Sequence, residues 1–294
     1  MRDWSTLIEK LAESIDRSPG TFRVSRSVGG GCINQAIIVE GADTRYFAKY
    51  NHPSRVQMFA AEAEGLKVLA GAGAVRVPTP ICWGAGPDMA FLVLEYLDLA
   101  PGNSRTQTQL GEQLAALHGI SQEQFGWHRD NTIGSTRQVN DYSSNWVDFF
   151  RDRRLGYQLE LAARGGNQTL RASGERLLNQ LDSFFRNYSP VPSLLHGDLW
   201  AGNVSETTGG EPVLFDPAVY FGDRETDLAM TELFGGFSRS FYRRYEEIWP
   251  LDSGYAARKS LYNLYHVLNH MNLFGGGYLN QAERTIAELL ALVR

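Results

Sequence analysis

The apolar positions of the first hundred residues follow two periods, one helical and one strand-like. Trp4, Leu7, Ile8, Leu11 and Ile15 recur at the spacing of one helix face. Alternating apolar and polar residues bounded by Gly-containing turns are instead typical of strands. The pattern predicts a helix at 4–15, strands at 21–28, 35–40, 45–50, 81–84 and 90–95, and a helix at 57–70 between the third and fourth strands.

Beyond residue 98 the pattern is mainly helical. Short apolar runs around Val204 and at 213–215 are the exceptions, and they predict two short strands. Pro101 and Gly102 interrupt residues 97–105, which is the predicted hinge. We predict an α+β fold with a small lobe at 1–96, made of an antiparallel sheet plus a helix, and a larger, mainly helical lobe at 97–294. Its predicted helices span 106–117, 144–156, 170–188, 226–233, 238–248, 254–273 and 280–293.

Composition excludes several classes of protein. The 294 residues are 43% hydrophobic and 21% charged, with a formal net charge of −5, which does not favour binding to nucleic acid or to an anionic membrane. The N-terminus has no basic segment followed by an apolar run, and no apolar run approaches 18 residues. Two cysteines are too few for a disulfide framework or a zinc site. We expect a cytoplasmic protein with reduced thiols.

The segment from His196 to Asn203, followed by Asp216, narrows the chemistry most. Asp198 precedes Asn203 by five positions, and Asp216 ends a later apolar run. This spacing matches the kinase catalytic loop H-R-D-x-x-x-x-N, with Gly197 in place of Arg. Asp198 is the candidate base that accepts the hydroxyl proton, and Asn203 and Asp216 are the candidate Mg²⁺ ligands. Taken alone, Asp198 would rather be a capping or turn residue after Gly197, and the alternative for Asp216 is an ordinary turn residue before Pro217.

Lys49 ends a strand-like run, from which a lysine can reach nucleotide phosphates. Glu62 in the next predicted helix can hold Lys49 extended. Glu64 competes for that role, but Glu62 is in phase with the inward-facing Leu66 and Leu69. The alternative is an exposed lysine at the end of a strand.

A glycine run follows the first predicted strand. Gly29, Gly30 and Gly31, with Cys32 and Asn34, could turn backbone N–H groups toward a phosphate. The run fits neither G-x-G-x-x-G nor a Walker A sequence, and a plain hairpin turn explains it as well. Cys32 in such a loop is a hypothetical redox switch; an inert small residue is the favoured alternative.

Two ring-bearing residues are candidates for contacting substrate. Trp200 lies two positions after Asp198, where its ring could stack on a sugar or pack under the loop. His266 and His270 are four apart on a predicted helix, without the Glu of the zinc-protease pattern H-E-x-x-H. We interpret them as packed or hydrogen-bonding histidines near a substrate cleft.

These motifs resemble the fructosamine kinase (ketosamine-3-kinase) family, which shares its protein-kinase-like fold with the aminoglycoside phosphotransferases. Asp-Asn-Thr-Ile-Gly at 130–134, Asp-Leu-Trp at 198–200 and Phe-Gly-Gly-Phe at 234–237 are the most specific. The resemblance covers nearly the whole chain. Further matching segments are 29–34, 125–129, 146–150, 195–204 and 215–218.

The resemblance implies a bilobal kinase-like fold and ATP-dependent, Mg²⁺-dependent phosphorylation of the third-carbon hydroxyl of a ketosamine. The unstable product then sheds the sugar, which repairs a glycated amine or protein. By this resemblance, Leu94, Glu95, Tyr96 and Leu97 would form the hinge that meets adenine, mainly through backbone groups. Asp227 would brace the catalytic loop, with His196 as structural support. Asp216-Pro217 replaces the Asp-Phe-Gly of protein kinases, which argues against a protein-hydroxyl kinase.

Two alternatives stay open from the sequence. One is another alcohol kinase of the same fold, acting on an aminoglycoside or choline. The other is a nucleotide-binding regulator without catalysis, which would typically lack a member of the set Lys49, Glu62, Asp198, Asn203 and Asp216. The sequence leaves open the sugar, a free or protein-bound amine, and a monomer or homodimer.

Overall fold

A computed structural model describes residues 3–29, 33–100 and 102–293. The chain forms two compact units, one of residues 1–102 with 204–217 and one of residues 103–203 with 218–294. The division into lobes at residue 97 stays a prediction. No helix within the described ranges is long and apolar enough to cross a membrane.

The strands in chain order are β1 (Arg23–Val28), β2 (Gln35–Glu40), β3 (Arg45–Asn51), β4 (Pro80–Ala85), β5 (Ala90–Glu95), β6 (Leu99–Ala100), β7 (Asn131–Ile133), β8 (Thr136–Gln138), β9 (Ser193–Leu195), β10 (Val204–Thr207), β11 (Pro212–Leu214) and β12 (Tyr220–Gly222).

The α-helices are α1 (Ser5–Ser14), α2 (Val56–Ala72), α3 (Ser104–His118), α4 (Trp146–Phe149), α5 (Tyr157–Arg164), α6 (Gln168–Leu178), α7 (Glu225–Leu233), α8 (Arg239–Ile248), α9 (Tyr255–Phe274) and α10 (Tyr278–Leu292). A π-helix, Phe150–Gly156, joins α4 to α5. Single 3₁₀ turns lie at Pro19–Thr21, Pro53–Arg55, Leu181–Phe184 and Ala201–Asn203.

The first unit is built on a five-stranded antiparallel sheet in the order β1-β2-β3-β5-β4. Side chains alternate between the two faces of a strand. Tyr46, Ala48 and Tyr50 of β3 join a core with Leu7 and Leu11 of α1. Lys49 therefore points to the opposite face of the sheet.

A second, three-stranded sheet belongs to the same unit, in the order β11-β10-β6. Its hairpin pairs Val204 with Leu214, and Glu206 of β10 pairs with Ala100 of β6. Leu214 N–H donates to the carbonyl of Arg76 at 2.9 Å. The hairpin thus fixes, within the same unit, the start of the Phe215-Asp216 step that follows it.

The second unit is mainly helical. Helix α9 packs against α7, α10 and α5, and α3 packs against α8. The approach of α3 to α8 is close because Gly111 faces it: a Cβ there would lie 2.4 Å from the carbonyl oxygen of Phe241. Strands β9 and β12 pair Leu195 with Tyr220, which sets the start of the 196–203 loop beside residues 218–219.

Most predicted elements are confirmed, and two helix predictions are wrong at their ends. The helix predicted at 144–156 continues through the π-helix into α5, because Gly156 stays helical and its missing Cβ would lie 2.7 Å from the carbonyl oxygen of Arg151. The helix predicted at 170–188 ends at Leu178. The sequence did not predict the two- and three-residue strands β6, β7, β8, β9 and β12, which are too short to show a period.

Candidate active site

In the first unit, Lys49 lies between two carboxylates. Its Nζ is 2.6 Å from Glu62 Oε1 and is also paired with Asp216 Oδ1. The Lys49 and Glu62 side chains are only 8% and 11% exposed. Burial opposes the charge on Lys49, but Asp216 and Glu62 outweigh it and raise the Lys49 pKa above its ordinary value. Lys49 is therefore a fixed cation, and its predicted pairing with Glu62 is confirmed.

The carboxylate of Asp216 combines a fixed backbone with an accessible side chain. Its φ of +58° lies in the left-handed region, which few residues other than Gly adopt. The hairpin before it and Pro217 after it restrict the chain on both sides. The side chain is nevertheless 48% exposed. The Asp216 carboxylate therefore has the donor atoms and the exposure that a hard divalent cation requires, and its role as a metal ligand stays a prediction.

In the described part of the glycine loop, Gly29 has open space around it, and Ile33 and Asn34 are held by hydrogen bonds. A Cβ on Gly29 would meet nothing within 4 Å. At the other end, Asn51 Nδ2 donates to the carbonyl of Ile33 at 2.9 Å and to Asn34 Oδ1 at 2.8 Å. The Asn34 side chain thus ties the loop to β3. Gly30, Gly31 and Cys32, with the redox hypothesis for Cys32, lie outside the described residues.

Two arginines contact the predicted adenine-binding segment. Arg76 pairs with the Glu95 carboxylate, and the Arg45 guanidinium lies 4.1 Å from the centre of the Tyr96 ring. Leu97 follows and is half-buried. The side chains of Glu95 and Tyr96 are thus engaged by arginines, and the Glu95 backbone N–H donates to the carbonyl of Thr79 at 2.9 Å. A role for all three in binding adenine stays a prediction.

In the second unit, Asp198 and Asn203 are joined by hydrogen bonds. Asn203 Nδ2 donates to the carbonyl of Asp198 at 2.8 Å and to its Oδ2 at 3.2 Å. Asn203 is 5% exposed, while Asp198 is half-buried. The amide nitrogen is committed to Asp198, which leaves Oδ1 of Asn203 for a cation. The Asp198 backbone N–H also donates to His196 Nδ1 at 3.3 Å, so His196 supports the loop from within.

Asp227 of α7 holds the start of this loop. Its carboxylate accepts the backbone N–H groups of His196 and Gly197 at 2.8 and 2.9 Å, and His118 Nε2 lies 3.2 Å away. Burial opposes the negative charge, but hydrogen bonds and the nearby histidines outweigh it and lower the Asp227 pKa. The contact of Asp227 with the loop, predicted from the resemblance, is confirmed.

Gly197 is required by the backbone at this point. Its φ is +82°, and a Cβ there would lie 2.1 Å from the carbonyl oxygen of Ala218. The Ala218 N–H in turn donates to the carbonyl of His196 at 2.9 Å. The position that carries Arg in protein kinases therefore carries Gly here for a steric reason.

The Trp200 ring packs against Gly202 and is also partly exposed to solvent. A Cβ on Gly202 would lie 2.1 Å from the indole ring, so the ring occupies the space that this glycine leaves. The residue is still 39% exposed. The Trp200 backbone N–H donates to the carbonyl of Asp198 at 3.2 Å. An open ring therefore lies beside the candidate base, and its contact with substrate stays a prediction.

His266 is more enclosed than a substrate contact requires. It is 4% exposed, and among the described residues its buried Nδ1 has no hydrogen-bond partner. Burial, with help from His270, lowers the His266 pKa to about 3. The ring is therefore neutral at physiological pH. Its predicted role in substrate binding is untested.

A polar network behind the loop was not predicted from the sequence. Gln138 Nε2 donates to the carbonyl of Ala218 at 3.0 Å, and Asn131 Nδ2 donates to that of Val219 at 2.7 Å. Gln138 also donates to Asn131 Oδ1 at 2.8 Å. The sequence signal for this network is the family block at 130–134, which contains Asn131. Asn131 of this block, together with Gln138 outside it, holds the chain that follows Asp216-Pro217.

Comparisons with known proteins agree over nearly the whole chain. The sequence profile of the family described as fructosamine kinase matches residues 3–292. The chain is 47% identical over 291 residues to a "Probable ketoamine kinase" of Synechocystis, covering 98% of this chain and 97% of that protein. It is 40% identical over 272 residues to the chloroplastic protein-ribulosamine 3-kinase of Arabidopsis thaliana, covering 91% of this chain and 83% of that protein.

Solved structures confirm the predicted α+β, protein-kinase-like fold. A candidate fructosamine-3-kinase from Haemophilus somnus 129PT superposes with a TM-score of 0.88 at 30% identity, covering 98% of this chain and 97% of that one. Aminoglycoside phosphotransferase APH(4)-Ia superposes with a TM-score of 0.64 at 15% identity, covering 99% of both chains. The second likeness concerns the fold alone.

Proposed function

The chain belongs to the fructosamine kinase family, and on that premise we propose that it transfers the γ-phosphoryl group of ATP to the third-carbon hydroxyl of a ketosamine. The kinase part of the proposal is carried by one observation, the Asp198–Asn203 pair in a loop that Asp227 clamps. The ketosamine part is supported by relatives named ketoamine kinase and protein-ribulosamine 3-kinase.

Each residue has a role in this reaction. The substrate hydroxyl oxygen attacks the γ-phosphorus, the bond from that phosphorus to the bridging oxygen breaks, ADP leaves, and the hydroxyl proton passes to the carboxylate of Asp198. Lys49, held by Glu62, provides positive charge for the nucleotide phosphates. The main task of Asp198 is to orient the hydroxyl until the proton is lost.

Asn203 and Asp216 fit a Mg²⁺ ion. Both offer oxygen, the donor that Mg²⁺ prefers, and Mg²⁺ takes few protein ligands because it keeps several waters. The exposed Asp216 carboxylate and the Oδ1 of Asn203 would hold the ion. When bound, it would neutralise the charge that develops on the transferring phosphoryl group.

The instability of the phosphorylated product accounts for the proposed role in repairing glycated amines. A phosphate on the carbon next to the ketone is a good leaving group, so the phosphorylated ketosamine loses phosphate and then releases the amine. The same proposal includes action on free or protein-bound adducts, a monomer or homodimer, and a cytoplasmic location, where ATP is supplied. Size-exclusion chromatography and cell fractionation test the last two.

A panel of acceptors tests the proposed function. ATP consumption with Mg²⁺ is measured with a fructosamine, a ribulosamine, an aminoglycoside and choline. We expect turnover with the ketosamines only, and the ranking of the two sugars identifies the preferred one. Turnover with an aminoglycoside or choline in place of the ketosamines would overturn the acceptor, and no turnover with any acceptor would favour a non-catalytic nucleotide-binding protein.

A further inference from the structure

Five aromatic rings of the second unit form a continuous series that starts at the catalytic loop. Trp200 contacts Phe234 with ring centres 6.1 Å apart, and Phe234 contacts His270 at 5.3 Å. His270 contacts Tyr278 at 5.2 Å and Phe274 at 5.7 Å. We call these five residues the aromatic ladder. Trp200, Phe234 and Phe274 are 39%, 44% and 52% exposed.

Glycines with positive φ position the rings at both ends of the aromatic ladder. Gly236, with a φ of +96°, packs so tightly that a Cβ would lie 2.4 Å from the Cβ of Ala201, which fixes the 234–237 segment against the catalytic loop. At the far end, Gly275 and Gly276 have φ values of +66° and +64°. These two residues reverse the chain after α9, so that Tyr278 at the start of α10 returns to His270. The exposed rings are therefore held in place by the backbone.

The His270 ring is also fixed in orientation. Its Nδ1 lies 2.8 Å from the carbonyl oxygen of His266, one helical turn earlier. This carbonyl can only accept, so Nδ1 carries the proton and donates to it. The ring thereby presents a defined face between Phe234 and the pair Phe274 and Tyr278.

The Trp200 end of the aromatic ladder lies beside the proposed catalytic base. Trp200 N–H donates to the carbonyl of Asp198, so the first ring is adjacent to the proposed base. In a ketosamine the amine is attached to carbon 1, two carbons from the hydroxyl that reacts at carbon 3. The amine and its substituent, which we call the amine arm, must therefore leave the reacting centre within a few bonds of Asp198.

The chemistry of the amine arm matches that of the ladder. A ketosamine nitrogen is a secondary amine that is protonated at neutral pH, and cations are attracted to aromatic faces. Beyond the nitrogen, an adduct of lysine continues as a flexible four-carbon stem. Such stems bury their methylenes along apolar surface. The series of rings provides cation-binding faces first and apolar surface after them.

We infer that the aromatic ladder binds the amine arm of the ketosamine and makes the enzyme select adducts with a long alkyl arm, such as lysine side chains, over adducts of short amines. This inference rests on the proposed function. It names a specificity determinant, with Phe234 acting near the nitrogen and Phe274 acting on the distal carbons.

A series of synthetic ribulosamines tests the inference. The adducts of methylamine, propylamine and hexylamine are compared by kcat/KM in the wild-type protein. We expect a gain of at least about tenfold from methyl to hexyl, mainly through KM, because each fully buried methylene contributes about 0.8 kcal/mol, or roughly fourfold. Phe274→Ala should reduce the hexyl-to-propyl ratio about threefold, whereas Phe234→Ala should already reduce the propyl-to-methyl ratio.

The matched control is Val191→Ala, which removes an exposed apolar side chain, 49% accessible, outside the ladder in the same unit. It should leave all ratios as in the wild type. Turnover of the methylamine adduct with no dependence on arm length would overturn the inference but not the proposed function. Equal losses for all three adducts in Phe274→Ala would also overturn it. No turnover of any ketosamine would overturn both.

Discussion

The two charged centres of the molecule are held in different ways. In the first unit, Lys49 is held by the charges of Glu62 and Asp216. In the second unit, Asp198 is held by its loop, whose backbone N–H groups are bound by Asp227. Removing a partner from the first centre leaves an unbalanced charge, whereas removing the brace from the second centre lets the backbone move. Substitutions in the first centre should therefore act through an unbalanced charge, and substitutions in the second centre through displacement of the catalytic loop.

The largest expected effect is at Asp198. Asp198→Asn keeps the shape of the side chain but cannot accept the hydroxyl proton, so we expect kcat to fall by at least about 10³-fold. ATP binding, measured by calorimetry, should change little. Asp182→Asn, an exposed carboxylate on the same unit, is the control. Turnover within tenfold of the wild type would show that Asp198 is not the base.

Replacing Lys49 tests the electrostatic centre. Lys49→Met removes the cation and leaves the buried Glu62 beside Asp216, so we expect kcat/KM to fall about 10²-fold and the free energy of unfolding to fall by about 3 kcal/mol. Glu62→Gln combined with Lys49→Met should recover part of that stability, because one of the two like charges is gone. Denaturant unfolding of both single variants and the double variant measures the coupling.

Additive effects of the two substitutions on the free energy of unfolding would contradict this account. If the losses of the two single variants simply add in the double variant, Lys49 and Glu62 do not depend on each other. Lys49→Arg is the matched control, since it keeps the charge but changes the geometry of the donor.

The brace at Asp227 should give a smaller loss. Asp227→Asn keeps one acceptor but loses the charge that binds two backbone N–H groups, so we expect a loss of about 2–3 kcal/mol in stability and of about tenfold in kcat. Because folding lowers the pKa of this carboxyl, its contribution is complete above the unfolded-state pKa and disappears as the pH falls through the native value. As the pH is lowered, the thermal unfolding temperature of Asp227→Asn should therefore fall less than that of the wild type.

The smallest effect concerns His266. Its pKa falls from the ordinary value of 6.5 to about 3 because the ring is buried, so the unfolded chain gains a proton below pH 6.5 that the native protein does not take up until about pH 3. The native state should lose stability progressively across that interval. His266→Leu should remove this part of the pH dependence in thermal melts between pH 7 and 4, with little change at pH 7. An unchanged pH dependence would contradict the burial of a neutral ring.

The difference between the two centres also explains what the sequence could predict. Lys49 and Glu62 were identifiable because strand and helix periods set the direction of each side chain. The Asp198 motif was identifiable from its spacing. Gln138 and Asn131 were not, because their partners are backbone carbonyls some eighty positions away, at Ala218 and Val219.

The aromatic ladder was only partly visible for a related reason. Trp200 stood out because it lies next to Asp198 in the sequence. Phe234 and Phe274 come from separate segments, and only the backbone reversals at Gly236 and at 275–276 bring their rings into one series. The short strands around the loop left no periodic signal either.

The position of the transferred phosphate tests the central claim most directly. The protein is incubated with ATP, Mg²⁺ and a ribulosamine, and the product is examined at once by phosphorus and carbon NMR. We predict one new phosphate ester, coupled to carbon 3, that decays with release of inorganic phosphate and the free amine. A stable ester at another carbon, or phosphate appearing only from hydrolysis of ATP, would contradict the account.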